Sequence, residues 1–219
     1  MLWIVAAVAA SPPPPPPLPS TDESDERLLG RYREGEEAAF AQLYQRHRGG
    51  LYRFIRGLCS NTAQADEIFQ ETWLALIRSE AVFEGRSCFK TWLYQIARHR
   101  LVDLWRRQES KMQTSDEAEP VPPHAYENGV SETPETLTLR AEQLQQLAEA
   151  LETLPLAQRE VFLLRAHADM ALSEIAAFTQ MPLEAVKSRY RYALAKLRQY
   201  LLARPPIKKS EFVKREVMP

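Results

Sequence analysis

The sequence predicts an all-α protein made of two small helical domains joined by a flexible acidic linker. Three observations point there. Seven Gly against 16 Pro, with Pro12 to Pro17 in one run, leave too few glycine turns for a many-stranded β architecture. Apolar residues recur at helical spacing from Leu28 to about Arg107 and again from Leu137 to about Leu202. Between these stretches the period disappears and acidic residues and prolines take over.

Each segment can be justified in turn. Residues 1–23 form an apolar and proline-rich extension. Its opening MLWIVAAVAA covers only about ten residues, half of the roughly 20 that a membrane-spanning helix needs. It also lacks the Lys or Arg of a signal peptide, although Ala7-Val8-Ala9 fits a cleavage pattern. A disordered extension with no membrane insertion of its own is expected, either a spurious start or an arm that meets a sensor. Residues 24–107 form the first domain, with Ala39, Phe40, Leu43, Tyr44, Leu51, Phe54, Ile55 and Leu58 as one apolar series. Residues 108–136 are the linker, where Glu109, Asp116, Glu117, Glu119, Glu127, Glu132 and Glu135 face the single base Lys111, a self-repelling tether. Residues 137–203 form the second domain, in which Pro155 and Pro182 suit first helical turns. The tail, 204–219, is short, mixed in charge and expected to fray.

The 219-residue chain carries 28 Lys plus Arg against 29 Asp plus Glu, a formal net charge of −1, so its total charge identifies no partner. Placement says more. Between Phe83 and Arg107 the bases Arg86, Lys90, Arg98, Arg100, Arg106 and Arg107 outnumber Glu84 and Asp103. Between Pro182 and Arg204 the bases Lys187, Arg189, Arg191, Lys196, Arg198 and Arg204 meet only Glu184. One basic helical face is commonly just a solvated face. Two of them, closing separate domains on either side of an acidic tether, suit the neutralisation of phosphates.

The first basic stretch is interleaved with Phe83, Phe89, Trp92, Tyr94 and Trp105. Most of these rings belong to a core, with Trp92 and Ile96, and Leu93 and Ala97, at i, i+4 spacing. Aromatic faces beside cations are also what single-stranded nucleic acid requires. The loop Glu84 to Ser87, with Gly85, Arg86 and Ser87, has the polar groups to hold an unstacked base. Upstream, Ala65, Ile68, Phe69, Thr72 and Leu76 form the inner stripe of a helix whose outer face carries Asp66, Glu67, Gln70 and Glu71. That face repels DNA and suits a positively charged protein surface, although acids in a first turn also complement a helix dipole.

The second domain reads as a helix-turn-helix. Leu172 to Phe178 is a short amphipathic helix, Thr179-Gln180-Met181 a turn, and Pro182 opens a longer helix held by Val186 and by Tyr190 or Ala193. Lys187, Ser188, Arg189 and Arg191 are then free to reach a major groove. The helix from Pro155 to about His167 completes a three-helix DNA-binding unit. Two cysteines, Cys59 and Cys88, without C-x-x-C spacing or a regular relation to the four histidines, predict neither a disulfide scaffold nor a metal site. Buried, inert thiols are expected.

From about Asp25 to Leu202 the chain resembles the extracytoplasmic-function (ECF) sigma factors, the small alternative sigma subunits of bacterial RNA polymerase. The segments that carry the resemblance are Phe40 to Tyr44, Ala65 to Leu76, Phe89 to Arg98 with Leu101 to Arg107, Leu154-Pro155 with Arg159 to Arg165, and Ser173 to Ala176 with Val186 to Arg189. The family has Asp where Gln64 stands, Asn where His99 stands, and Gly within the stretch occupied by His167 to Ala171. The resemblance implies a cytoplasmic, non-enzymatic specificity subunit with no cofactor, built from sigma region 2 and sigma region 4. It implies that Asp66, Glu67, Gln70 and Glu71 dock on the β′ clamp helices of core RNA polymerase. Gly85, Arg86, Ser87, Lys90, Trp92, Arg98, His99, Arg106 and Arg107 would hold the minus-10 element and its unpaired strand. Ser173, Glu184, Lys187, Ser188, Arg189 and Arg191 would meet the minus-35 element, with the second domain on the β flap. An anti-sigma factor is the further partner it implies. A stand-alone helix-turn-helix regulator binding duplex DNA as a dimer is the competing reading of the same residues, and an adaptor protein a third.

Overall fold

The computed structural model describes residues 23–78, 83, 85, 87–112 and 145–203, with the backbone alone at 109–112. The segments 1–22, 113–144 and 204–219, and with them the expected extension, most of the linker and the tail, lie outside the described residues, as does Arg86. Among the described residues all regular structure is helical.

Helix α1, Asp25–Arg33, starts where the Ser24 hydroxyl accepts from Arg27 N–H and places Asp25 and Glu26 in its first turn and Arg31 and Arg33 in its last, the charge order that the helix dipole favours. Gly35, at φ 101°, turns the chain into α2, Glu37–Arg56. Helix α3, Thr62–Ile77, is capped by the Asn61 side chain, which accepts from Gln64 N–H at 2.8 Å. Helix α4 runs from Phe89 to Met112. It therefore extends five residues beyond the expected domain boundary at Arg107. Nothing between Gln108 and Met112 breaks a helix, and Gln108 Nε2 donates to Gln64 Oε1 of α3 at 3.2 Å, which holds the extra turn in place.

The second half begins with α5, helical over residues 145–152. Pro155 stands at the N-cap of α6, Leu156–His167, and Pro182 just ahead of α8, Leu183–Ala203, each one residue before the helix it was expected to open. Between them α7, Leu172–Thr179, has its Ala171 N–H bonded to the Glu174 carboxylate at 2.6 Å. Its end is a Schellman turn: Gln180 adopts φ 57°, and Met181 N–H returns to the Ala176 carbonyl at 3.0 Å. Thr179 is thus the last residue of the helix rather than the first of the turn.

The expected apolar series of α2 is buried, with Tyr44 half-buried. In α3, Ala65, Ile68, Thr72 and Leu76 of the expected stripe are buried and Phe69 is half-buried. They are joined by Trp73, which is fully buried amid Phe40 (5.7 Å between ring centroids), Tyr44 (5.0 Å) and Phe69 (6.3 Å). The larger difference concerns the cores. The sequence predicts two small ones, yet the buried residues of both halves form one contiguous cluster, because α2 packs directly against α6. The contact is close at two glycines two helical turns apart, Gly50 within α2 and Gly57 at its C-cap. A Cβ on Gly57 would stand 2.6 Å from Leu163 Cδ1, and one on Gly50 would stand 2.8 Å from the Tyr94 hydroxyl and 2.9 Å from the His167 carbonyl oxygen. At Gly50 a Cβ would have to displace the His167 backbone at the end of α6, whereas at Gly57 the tip of the Leu163 side chain would have to turn aside.

Candidate nucleic-acid interface

The acidic candidates stand on α3, opposite its buried stripe. Asp66 and Glu67 are exposed, Gln70 and Glu71 half-buried. Two neighbours hold the ends of this face: the Tyr52 hydroxyl donates to Asp66 Oδ1 at 2.9 Å, and Arg100 of α4 lies 3.7 Å from Glu71. Carboxylates steadied in this way present a fixed negative surface to a partner.

The first basic face is built on α4. Phe89, Leu93, Tyr94, Ala97 and Leu101 are buried and fix the rotation of the helix. Its N-terminus is tied to α1, since Phe89 N–H donates to Glu26 Oε1 at 2.9 Å. Asp25 beside it holds His47 at 2.6 Å and Arg46 at 2.9 Å. Burial alone would raise the Asp25 carboxyl, but its bonds to His47 and Arg46 leave it lowered overall. Ahead of α4, Gly85 at φ 73° and Ser87 are exposed. Lys90 is half-buried, and Trp92 is half-buried between Phe83 (5.3 Å) and Phe89 (5.8 Å). His99, Arg106 and Arg107 are exposed, with Gln95 Nε2 3.2 Å from His99 Nε2 and Arg107 Nε donating to the Asp103 carbonyl at 3.3 Å.

Arg98 differs from these. Its Nε donates to Glu160 Oε1 of α6 at 2.7 Å, with the Glu160 side chain 9% exposed, and its guanidinium lies 5.9 Å from the Phe178 ring. One turn earlier the Tyr94 hydroxyl donates to the His167 carbonyl at 2.9 Å. Burial pushes the Tyr94 hydroxyl well above the usual phenol range and the His167 imidazole down to about 4, the latter helped by the Arg53 charge. The seam between the two halves is therefore polar as well as apolar. Sequence reading named Arg98 but neither Glu160 nor His167 as its surroundings. The available signal was Glu160 itself, a charged residue beside Val161, Leu163 and Leu164 on a core-facing stripe.

The second basic face is on the α7–α8 pair. Val186, Ala193 and Leu197 are buried, and Tyr190 is half-buried at 6.5 Å from Phe162, which points the rest of α8 outward. Lys187 and Arg191 are exposed, Ser188 and Arg189 half-buried. Lys187 reaches Glu184 one turn back at 2.7 Å, Arg189 rests on Met181 Sδ of the turn, and Arg191 lies over the Tyr192 ring at 5.5 Å. Ser173, on the first helix of the pair, is exposed. This arrangement leaves cations, hydroxyls and one carboxylate along a helix face of the width that a major groove admits.

Of the two thiols, Cys59 is buried, and burial pushes it up to about 12, the inert state expected of it. Cys88 departs from expectation in being exposed, 2.9 Å from the Thr91 hydroxyl. No helix among the described residues is long and apolar enough to cross a membrane.

Comparison with known proteins agrees with this geometry. The family described as Sigma-70 region 2 matches residues 43–111, and Sigma-70, region 4 matches residues 150–199. The chain is 30% identical over 168 residues to the ECF RNA polymerase sigma factor RpoE of Cereibacter sphaeroides, covering 76% of this chain and 88% of that one. It is also 30% identical over 190 residues to the RNA polymerase sigma-H factor of Pseudomonas aeruginosa, covering 83% and 97%. Among solved structures, the sigma factor RpoE in complex with the anti-sigma factor NepR from Bartonella quintana is similar with a TM-score of 0.61 at 25% identity, covering 75% of this chain and 97% of that one. CnrH in complex with the cytosolic domain of CnrY is similar with a TM-score of 0.57 at 25% identity, covering 83% and 99%. With the region 2 match running from within α2 to the end of α4 and the region 4 match from α5 into α8, the chain belongs to the ECF sigma factors of RNA polymerase and acts in transcription initiation.

Proposed function

We propose that this sigma factor recruits core RNA polymerase through the acidic face of α3 and reads a two-part promoter with the basic faces of α4 and α8. The observation that supports this reading most is the segregation of charge by helix. Asp66, Glu67, Gln70 and Glu71 share one face that repels nucleic acid and suits the β′ clamp helices, while α4 and α8 expose cations. Gly85, Ser87, Lys90, Trp92, His99, Arg106 and Arg107, with Arg86, take the minus-10 element and its unpaired strand, aromatic faces stacking on bases and cations following the backbone. Lys187, Ser188, Arg189 and Arg191, with Glu184 and Ser173, take the minus-35 element in the major groove. The second domain meets the β flap, and an anti-sigma factor, such as the one bound to the similar RpoE, holds the chain inactive in the cytoplasm. The protein supplies binding free energy for promoter opening and no catalytic group.

The test is binding of the purified chain to core polymerase, followed by run-off transcription from a library of genomic promoters with and without it. Binding together with new start sites that share an upstream and a downstream motif is the expected result. Failure to bind polymerase combined with tight binding of duplex DNA by the free chain would establish the stand-alone regulator instead. Two variants refine the assignment. Glu71→Lys weakens core binding; unchanged affinity removes the α3 face from the docking surface. Arg189→Ala alters preference within the upstream element; equal weakening on every sequence makes Arg189 a phosphate contact, with a salt slope smaller by about 0.9.

A further inference from the structure

We propose that Glu160 of region 4 is an internal competitor for promoter DNA: its carboxylate holds Arg98 in the place a DNA phosphate would take, so the two domains close only while that arginine is withheld from the strand. The proposal rests on the reading of α4 as the surface that takes the unpaired strand.

A guanidinium binds carboxylates and phosphates through the same planar set of N–H donors. In the closed arrangement Arg98 Nε spends its bond on Glu160 Oε1 at 2.7 Å. The pair is enclosed, with the two side chains 23% and 9% exposed and the Phe178 ring covering the guanidinium at 5.9 Å. A cation neutralised and partly covered in this way offers a passing strand little net charge, and its Nε–H is already engaged. Arg107, by contrast, bonds back to its own helix at Asp103 and stays exposed, so it is open to DNA whether or not the domains are closed.

The seam that delivers Glu160 is specific in shape. Gly50 and Gly57, seven residues apart on one face of α2, admit α6 to within contact of backbone and of Leu163. The Tyr94 hydroxyl, one turn from Arg98, bonds the His167 carbonyl at 2.9 Å and so sets α6 against α4 in the register that brings Glu160 to Arg98. Yet the seam is suited to opening. A buried ion pair adds little net stability, since desolvation offsets most of its attraction, while it strongly penalises misalignment. Such a pair specifies one closed geometry without locking it. A phosphate that offers Arg98 the same bond removes the reason for Glu160 to stay buried there, and parting of the domains then returns Glu160 to water. Closure and strand capture draw on one guanidinium and oppose each other.

The test uses the full-length chain and a labelled single-stranded oligonucleotide, with affinity read by fluorescence anisotropy over a series of salt concentrations. Glu160→Gln, which removes the charge and keeps the shape, is expected to tighten binding about tenfold, the value of one charged hydrogen bond, and to steepen the salt dependence by about 0.7. Arg98→Ala is expected to change the affinity of the otherwise native chain less than twofold and to abolish the whole gain in the Glu160→Gln background. Gly50→Ala opens the seam sterically with both charged residues intact, and it is expected to give a gain that Arg98→Ala again removes. Near-ultraviolet circular dichroism identifies any variant that has lost its packed core, and Gly50→Ala then carries the test in place of Glu160→Gln. The competition is overturned if Arg98→Ala costs the same factor in both backgrounds, or if neither Glu160→Gln nor Gly50→Ala tightens binding. If the native chain with core polymerase produces no promoter-specific start, the functional reading itself has failed; if it does and the variants bind the strand alike, only the competition has.

Discussion

The two basic helices, α4 and α8, look alike in sequence and are employed differently in the fold. Helix α8 buries Val186, Ala193 and Leu197 along one side, and leaves Lys187, Arg191, Lys196 and Arg198 exposed. Helix α4 is packed by α1, α2 and α3 and reaches region 4 through Tyr94 and Arg98. Most cations on α8 face water, although Arg189 rests on Met181 and Lys196 bonds the Thr153 carbonyl, whereas Arg98 on α4 reaches across the seam to a buried carboxylate of the other half. Counting bases along a helix therefore shows where cations gather but cannot say which of those bases are already bound within the chain.

The strongest way to break the comparison is to remove a carboxylate partner of each helix. Glu160→Ala leaves Arg98 at the seam without its partner. Truncating one member of a fully buried pair costs about 3–5 kcal/mol, and the partial exposure of Arg98 reduces this to about 2 kcal/mol. Urea denaturation followed by circular dichroism measures it, and small-angle scattering is expected to show a larger radius of gyration. A loss below about 0.5 kcal/mol would mean that the seam does not depend on the pair.

A second difference between the faces appears with pH. His167 lies in the seam with its imidazole held down at about 4 by burial and by Arg53, against about 6.5 in an unfolded chain. The unfolded state then binds the extra proton first. The contribution of this group is complete above pH 6.5 and is lost as pH falls from 6.5 toward 4. Between pH 7.5 and pH 5 the native chain is expected to lose about 2 kcal/mol from this site, and His167→Gln to lose correspondingly less. Equal pH dependence in the two proteins would take His167 out of the account.

The helical periods, the acidic face of α3 and the helix-turn-helix were legible because each depends on neighbours within a turn or two. The stripe Ala65, Ile68, Phe69, Thr72, Leu76 follows from spacing alone, with Phe69 only half-buried at its edge. Trp73 falls outside it although it is fully buried, because a ring of that size covers more of the helix than a strict stripe allows. Helix α4 runs past the apolar period, which fades near Arg107, because the bond that supports its last turn, from Gln108 to Gln64, spans 44 residues. The single core was not legible at all. It depends on Gly50, Gly57 and Glu160, whose meaning appears only when α6 is laid on α2, and the pair of Arg98 with Glu160 is separated by 62 positions.

The turn after α6 offers a smaller sharpening. Asp169 adopts φ 51°, the left-handed conformation that glycine enters without a Cβ penalty. Its ion pair with Arg165 is long, at 3.8 Å, and its side chain is 88% exposed, so little is lost with it. Asp169→Gly relieves about 1 kcal/mol of backbone strain, and the greater entropy of glycine in the unfolded chain takes back part of this. A net gain of about 0.5 kcal/mol in denaturant unfolding is expected.

The smallest effect completes the contrast between the helices. Glu184 bonds Lys187 at 2.7 Å, a shorter heavy-atom distance than many structural ion pairs, yet its side chain is 82% exposed and that of Lys187 is 49% exposed. Water solvates both charges nearly as well apart as together, and an exposed pair of this spacing contributes only about 0.3–0.5 kcal/mol. Glu184→Ala is expected to change stability by no more than that, and also to remove a carboxylate from the first turn of α8. Its larger consequence is electrostatic. With Glu184 gone, Lys187 loses its nearest counter-charge on the face proposed to enter the major groove, so the salt-dependent part of binding to duplex DNA in the assembled polymerase is expected to strengthen modestly, while preference within the upstream element shifts. A stability loss approaching that of Glu160→Ala would show that exposure does not separate the two helices and that distance alone decides what an ion pair contributes.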